Sequence, residues 1–199
     1  MPLNRAGLVV HLRALFFCLL ALSSFAAHAA TQSFEGRVVG VSDGDKITVL
    51  DANNVQHRIR LAGIDAPEMG QPFSWRSKQS LRRMVMGKLV RIEWDEMDRY
   101  GRFVGKVWVT PAGINCTREP CPKTLDAGRA QLTVGLAWHY LGKQQGEEDR
   151  LAYEFDETEA RARRVGLWSE PDPIAPWDWR RGLAAVPKSD ARLPAQAGP

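Results

Sequence analysis

The chain has 199 residues, of which 27 are Lys or Arg and 23 are Asp or Glu, and its formal net charge at pH 7 is +4. This length is enough for one domain with a hydrophobic core, and the small net charge excludes an affinity for nucleic acid that rests on overall charge alone. Any affinity for a polyanion must therefore come from cations at particular positions.

The first 29 residues have the features of a secretory signal. Arg5 and Arg13 give a basic start, LFFCLLALSSFAA is apolar but too short for a membrane span, and AHA at 27–29 suits a signal peptidase. We therefore expect a signal peptide at 1–29 and an exported protein, secreted or periplasmic, that leaves the membrane after cleavage. Loss of the two arginines lowers the formal charge from +4 to +2.

Five short segments between residues 34 and 109 are predicted to form β-strands. Each is rich in β-branched and aromatic residues and is bounded by Gly, Asp or Asn, which is typical of strands joined by turns. The segments are FEGRVVGVSD (34–43), KITVLDA (46–52), VQHRIRLAGI (55–64), KLVRIEWDEMD (88–98) and RFVGKVWV (102–109).

Three segments have the hydrophobic spacing of helices. The first is FSWRSKQSLRRMVMG (73–87), where Gly87 marks the end and one face carries Leu81, Met84, Val85 and Lys88. The others are TLDAGRAQLTVGLAW (124–138) and DRLAYEFDETEARARRVGLW (149–168). The last is expected to bury a stripe made of Leu151, Phe155, Thr158 and Ala162. The PDPIAP segment that follows cannot continue a helix.

Five strands with a helix inserted after the third predict an α+β fold. We expect a closed five-stranded OB-fold Greek-key β-barrel with three flanking α-helices. The domain is expected to span residues 30–182 as a monomer, and the Ala- and Pro-rich tail at 183–199 is expected to be flexible. The fold alone does not specify a function.

Cys116 and Cys121 lie in a long segment between the last strand and the second helix. Two neighbouring cysteines in an exported protein favour a disulfide. A zinc site is less well supported, because no second cysteine or histidine pair stands nearby.

Three charged segments stand at the ends of predicted strands: SDGDK (42–46), RLAGIDAPE (60–68) and DRYGR (98–102). Each alone is typical of a solvated turn with ion-paired ends. Their order along the chain and their placement at strand ends make the combination more specific than any one of them.

The chain strongly resembles the staphylococcal-nuclease-like (thermonuclease) family from about Phe34 to Arg181. The resemblance is carried by VSDGDKITV, RIRLAGIDAPE, DRYGRFVGKVWV, LTVGLAW, EARARRVGLW and PWDWRR. It implies an exported calcium-dependent nuclease that hydrolyses phosphodiester bonds of DNA, RNA or both, on the barrel described above.

The resemblance also implies roles for individual residues. Calcium is expected at Asp45, Asp65 and the backbone carbonyl of Ala66, with Asp43 in the outer shell. The catalytic residues are expected to be Arg60 and Arg102, which bind the scissile phosphate, and Glu68, which positions or deprotonates the attacking water. Nucleotide contacts are expected at Tyr100 and Tyr140.

Elementary electrostatics supports a cation between the two aspartates. Two unit charges about 4 Å apart repel by roughly 4 kcal/mol at the effective dielectric of a protein surface. Oxygen ligands suit a hard ion such as Ca²⁺, and so few carboxylates predict weak binding, with a dissociation constant of about 10⁻⁴ to 10⁻³ M. Arginine forks suit the charge that develops on the phosphate.

Arg60 and Asp65 pose a geometric problem, because an odd step along a strand points their side chains to opposite faces. Gly63 permits a β-bulge that would turn Asp65 into the same site, and we predict such a distortion there. Lys46 and Ala66 stand where the family usually has threonine, and the ammonium of Lys46 is expected either to weaken calcium binding or to contact phosphate.

Two other functions remain open at this point. One is a catalytically impaired nucleic-acid-binding module on the same barrel, and the other is a disulfide-stabilised structural domain. The combination of Arg60, Glu68 and Arg102 favours the enzyme, since binding alone needs no such set. The seven tryptophans are more typical of packing than of base stacking.

Overall fold

The computed structural model describes residues 32–116, 118–142 and 145–182. The expected signal peptide at 1–29 and the expected tail at 183–199 lie outside the described residues. The strands are β1 Gln32–Asp43, β2 Lys46–Asp51, β3 Gln56–Leu61, β4 Ile64–Asp65, β5 Leu89–Met97, β6 Phe103–Val109, β7 Leu125–Asp126 and β8 Trp138–His139. The α-helices are α1 Ser74–Val85, α2 Ala127–Thr133, α3 Glu147–Ala162 and α4 Pro176–Arg180, with a 3₁₀ turn at Gly166–Ser169.

The five long strands form a closed barrel in the order β3-β2-β1-β5-β6. Neighbours in this order are antiparallel, and β3 closes the barrel by pairing in parallel with β6, where Arg60 stands opposite Val104. This confirms the predicted five-stranded barrel. The closing pair matters for function because it brings the end of β3 beside the start of β6.

The barrel interior is filled by alternate residues of the strands. Fully buried aliphatic side chains contribute about 1.5–3 kcal/mol each. The core is capped by α1, which confirms the predicted helix and buries Leu81 and Val85 of its predicted face. Met84 is half-buried, and Lys88 lies beyond the end of the helix. The strand residues of this core include Val38, Ile47, Val49, Ile59, Leu61, Val90, Ile92, Val107 and Val109.

The second predicted helix is shorter than expected. α2 begins after Asp126, whose Oδ1 accepts hydrogen bonds from the backbone N–H groups of Gly128 and Arg129. It ends at Thr133, and Gly135 then turns the chain with φ of +65° toward β8. The apolar residues that extended the helical pattern therefore belong to a turn and a short strand.

The buried stripe predicted for the third helix was wrong. Leu151 and Phe155 are 53% and 63% exposed, and α3 instead buries Tyr153, Asp156 and Ala160. Tyr153 packs into the barrel core and also makes a buried polar contact. The Tyr153 hydroxyl donates to Asp126 Oδ2 at 2.7 Å, and burial raises the pKa of Tyr153.

A fourth helix adds to the three that were predicted. α4 begins at Pro176, because proline suits the first turn of a helix even though it cannot continue one. Its Trp177 packs edge-on against Trp138, which in turn packs against Trp168 at 4.4 Å between ring centroids. These tryptophans pack against each other, as predicted.

The loop between β6 and β7 is closed by a disulfide between Cys116 and Cys121, whose Cα atoms are 5.8 Å apart. The predicted pairing is confirmed. Within the described ranges, no helix is long and apolar enough to cross a bilayer.

Candidate active site

A cluster of buried charges forms where three distant segments meet. The β1–β2 turn supplies Asp43, Asp45 and Lys46. The end of β3 and the segment after it supply Arg60, Asp65 and Glu68. The third segment is α4, and it supplies Arg180. Asp45 and Asp65 are fully buried, so the cluster is not an exposed network of ion pairs.

The β1–β2 turn is held in place by contacts at Gly44. A side chain here would collide with Ser77, because an added Cβ would stand 1.9 Å from its Oγ. Gln131 Nε2 donates to the Gly44 carbonyl at 3.0 Å, and the Asp45 carbonyl accepts from Leu61 N at 2.9 Å. Ser77 belongs to α1 and Gln131 to α2, so both helices and β3 hold the turn that places Asp45 against the end of β3.

The predicted distortion at Gly63 is present as a turn. β3 ends at Leu61, Gly63 adopts φ of +72°, and the chain then leaves the barrel to pair as β4 with β8. An added Cβ at Gly63 would stand 2.6 Å from the Tyr153 ring. The turn brings Asp65 to the same side as Arg60, and Nη2 of Arg60 donates to Asp65 Oδ1 at 3.1 Å.

Arg60 joins the two aspartates. Its Nη1 donates to Asp45 Oδ2 at 2.8 Å while its Nη2 donates to Asp65. Burial opposes the charged guanidinium, but the charges of Asp45 and Asp65 outweigh it and raise the pKa of Arg60. Arg60 therefore keeps its positive charge between the two buried carboxylates.

Lys46 stands at the outer side of the cluster. Its Nζ lies 2.7 Å from Asp43 Oδ2, 3.2 Å from Asp45 Oδ1 and 3.9 Å from Glu68 Oε2. Burial would lower the pKa of Lys46, but the neighbouring Asp45 and Asp43 raise it. Lys46 is thus a fixed cation that faces three carboxylates.

Asp45 has the donor chemistry of a cation ligand. Its Oδ1 is buried and forms no hydrogen bond, since Lys46 lies within ion-pair distance but not in hydrogen-bonding geometry. Burial raises the pKa of Asp45, against the opposing charges of Arg60 and Lys46. An additional cation would satisfy this oxygen and stabilise the ionised form.

The oxygen donors fit a hard, weakly held metal ion. Asp45, Asp65 and the carbonyl of the buried Ala66 offer oxygen ligands. An ion held here would share Asp65 with Arg60 and Arg180, which donate to its two oxygens. No group of three His, Cys, Asp or Glu side chains suited to a metal occurs in the part of the chain that the structure describes. Water and substrate oxygens would therefore have to complete the coordination of any ion held here.

Glu68 is positioned through its backbone. Its N–H donates to Gln71 Oε1 at 2.9 Å, and its carbonyl accepts from Gln71 N at 2.9 Å. Gln71 is buried, and its Nε2 donates to the Ile174 carbonyl at 2.5 Å. The loop that carries Glu68 is thereby tied to the segment that precedes α4.

Arg180 also lies in the cluster, although the sequence reasoning assigned it no role. Its Nη2 donates to Asp65 Oδ2 at 2.7 Å, and its Nη1 approaches Asp65 Oδ1 at 3.3 Å and Glu68 Oε1 at 2.5 Å. The PWDWRR segment that contains it was noted only as part of the resemblance. That motif was the one available signal, because 115 residues separate Arg180 from Asp65 in sequence.

Arg102 is not brought into the cluster. Its guanidinium is paired with Asp98 at 2.6 Å and stands 5.2 Å from the centre of the Tyr100 ring. Among the described residues, no ion pair links it to the carboxylates at the end of β3. The expected convergence of five side chains is thus observed for Asp45, Asp65, Glu68 and Arg60 but not for Arg102.

The two predicted nucleotide contacts have different neighbours. Tyr100 is 64% exposed on the β5–β6 turn, beside Arg102. Tyr140 is 43% exposed and borders the cluster, with its ring centre 6.0 Å from the Arg60 guanidinium and 5.8 Å from the Trp177 ring centre. Tyr140 therefore presents an aromatic surface next to the charged site.

Comparison with known proteins finds relatives over most of the chain. A family model described as "Staphylococcal nuclease homologue" matches residues 58–170. A micrococcal nuclease of Shigella flexneri is 40% identical over 162 residues, which cover 76% of this chain and 83% of the relative. Protein ParB of Escherichia coli is 39% identical over 155 residues, which cover 78% of this chain and 84% of ParB. An uncharacterised endonuclease of Escherichia coli is 36% identical over 161 residues, 81% of this chain and 94% of the relative.

Proposed function

The chain belongs to the staphylococcal nuclease family and is a nuclease, and from that premise we propose that it is exported and requires calcium to hydrolyse DNA, RNA or both. The observation that carries the proposal is the convergence of Asp45, Asp65, Glu68 and Arg60 from separate segments. Phosphodiester hydrolysis needs a way to neutralise the phosphate and a group that handles the attacking water, and this cluster contains both.

Asp45, Asp65 and the Ala66 carbonyl would hold the calcium ion. The buried, unbonded Oδ1 of Asp45 supports this assignment. When bound, calcium supplies positive charge that polarises a phosphodiester. Lys46 already places a cation near the same oxygen, and we therefore expect calcium binding to be weak.

Arg60 binds the scissile phosphate in this proposal. Its pairing with both aspartates keeps the guanidinium in place and charged before substrate arrives. The fork geometry of arginine matches two phosphate oxygens. Arg102 is proposed as a second phosphate contact, because β6 begins next to it and pairs in parallel with the strand that carries Arg60. It must then share its guanidinium between Asp98 and the substrate.

Glu68 orients the attacking water and accepts its proton. Its backbone is held by Gln71, and its Oε2 faces the cluster 3.9 Å from Lys46. A carboxylate held at this place acts as a general base on a water molecule next to the phosphate.

Export is supported by the leader features and by the disulfide between Cys116 and Cys121, since disulfides persist in oxidising compartments. Sequencing of the N-terminus of the protein recovered from a bacterial periplasm or medium should begin at Ala30. An intact Met1 on protein retained in the cytoplasm would reject export.

The experiment for activity is digestion of single-stranded DNA, duplex DNA and RNA by the purified chain from residue 30, with calcium or with EDTA. We expect hydrolysis with calcium and none with EDTA. Full activity in EDTA would reject the calcium site, and inactivity on all three substrates in calcium would reject the proposed reaction.

A further inference from the structure

We propose that Arg180 is a positioning residue of the nuclease site, which holds the carboxylates of Asp65 and Glu68 in place from the C-terminal helix α4. The proposal rests on the function proposed above. It extends the catalytic unit beyond residue 170, where the match to the family model ends.

Arg180 contacts two carboxylates with a single guanidinium. One side of its guanidinium faces both oxygens of Asp65, and Nη1 also reaches Glu68 Oε1. Hydrogen bonding to Asp65 and Glu68 raises the pKa of Arg180. A flexible ammonium could not form the same planar set of bonds, because only a guanidinium presents parallel N–H donors.

An ordinary surface ion pair would not have this geometry. The side chain of Arg180 is 43% exposed, whereas Asp65 is fully buried. The ion pair therefore joins a partly exposed cation to a buried carboxylate. An exposed pair typically contributes little, whereas a buried carboxylate needs its partner. Arg180 therefore closes the outer side of a buried group that Arg60 contacts from within.

The helix that carries Arg180, α4, is itself held in place. Trp177 packs against Trp138, and the Ile174 carbonyl accepts from Gln71, which also holds the backbone of Glu68. α4 and the Glu68 loop are thus joined twice, once through Gln71 and once through Arg180. This double connection is what a positioning role requires.

Arg180 also distinguishes the two oxygens of Glu68. Oε1 is occupied by Nη1 of Arg180, whereas Oε2 faces the cluster with Lys46 at 3.9 Å. Oε2 is then the oxygen that receives the proton of the attacking water. Without Arg180 the carboxylate of Glu68 can rotate, and the repulsion among Asp45, Asp65 and Glu68 is offset by one cation fewer.

The first test compares Arg180→Ala and Arg180→Lys with Arg181→Ala on the chain from residue 30. Arg181 is the matched control, because it is the adjacent arginine and is paired with the half-buried Asp178, outside the cluster. We expect both Arg180 variants to lower kcat by about 10- to 100-fold, with KM changed by less than about threefold and Arg181→Ala close to wild type. Free guanidinium at non-denaturing concentration should restore part of kcat in Arg180→Ala alone.

The second test is a double-mutant cycle with Glu68→Gln. Because Arg180 acts through the carboxylates, Arg180→Ala should lower kcat by a much smaller factor in the Glu68→Gln background than in the wild type. Additive losses, higher activity of Arg180→Ala, or equal activity of the Arg180 and Arg181 variants would each overturn the proposal. An inactive wild-type chain would instead reject the proposed function.

Discussion

Arg60 and Asp65 are five residues apart, an odd number of strand steps, yet their side chains are joined by a hydrogen bond of 3.1 Å. A continuous strand would point them to opposite faces. The turn at Gly63 removes this obstacle by ending β3 and starting β4 in a new direction. Assembly of the charged cluster therefore depends on the backbone conformation at one glycine.

Gly63→Ala should destabilise the protein and reduce its activity. The substitution adds backbone strain of about 1–2 kcal/mol at positive φ and a collision with Tyr153, for a total of roughly 2–4 kcal/mol. Urea unfolding measures the loss. Gly113→Ala is the control, since Gly113 also has positive φ but has open space at its Cβ position. Equal losses in both variants would show that packing at Gly63 does not matter.

Glu68→Gln should lower kcat by about 10²- to 10⁴-fold, because the amide cannot accept the proton of water. KM should change little, since the substitution conserves shape and removes no phosphate contact. Steady-state kinetics on a short DNA substrate measures both constants. Glu148→Gln, on the exposed start of α3, is the control. Unchanged turnover in Glu68→Gln would remove its proposed role.

Asp45→Asn should make the calcium-free protein more stable at neutral pH while it abolishes activity. Burial raises the pKa of Asp45 in the folded chain. Such a group contributes stability below its unfolded pKa of about 3.9, and this contribution is lost as pH rises through the folded pKa. The neutral asparagine avoids that loss.

Thermal unfolding in EDTA and in calcium measures this effect. At pH 7 in EDTA, Asp45→Asn should unfold at a higher temperature than wild type, and the difference should shrink as the pH falls toward 4. Calcium should raise the unfolding temperature of wild type but not of the variant. An equal calcium response in both proteins would exclude Asp45 as a ligand.

Cys116→Ser should cost roughly 2 kcal/mol of unfolding free energy and leave kcat unchanged. The disulfide closes a loop with a sequence separation of only 5, so the chain-entropy contribution is small. Urea unfolding with and without a reductant provides the measurement, and the reduced wild type should match the variant. A large loss of turnover would place the β6–β7 loop in the active site.

Local patterns were sufficient to predict the barrel and the first helix, whereas the group formed by Asp45, Asp65 and Arg60 was expected from the family resemblance. The barrel depends on strand alternation and on turns that glycine and aspartate permit. The face of α3 could not be predicted in the same way. Hydrophobic spacing favoured Leu151 and Phe155, whereas the folded chain buries Tyr153, whose hydroxyl donates to Asp126.

Contacts across long sequence separations explain the remaining differences. The contact between Arg180 and Asp65 joins residues that are 115 positions apart in sequence. No local sequence pattern predicts that α4 packs beside Asp65. Arg102 was expected at the cluster because of its place in DRYGR, but Asp98 in the same turn is nearer and accepts its hydrogen bonds. The local ion pair between Arg102 and Asp98 thus takes the place of the expected long-range contact with the cluster.

The most direct test of the central claim is the rate of DNA hydrolysis by the chain from residue 30 as a function of free calcium. If Asp45, Asp65, Arg60 and Glu68 form one catalytic centre, the rate should be zero in chelator and should saturate with a midpoint of about 10⁻⁴ to 10⁻³ M. Asp45→Asn should remain inactive throughout. A full rate in chelator, or a variant that responds to calcium like the wild type, would contradict the account.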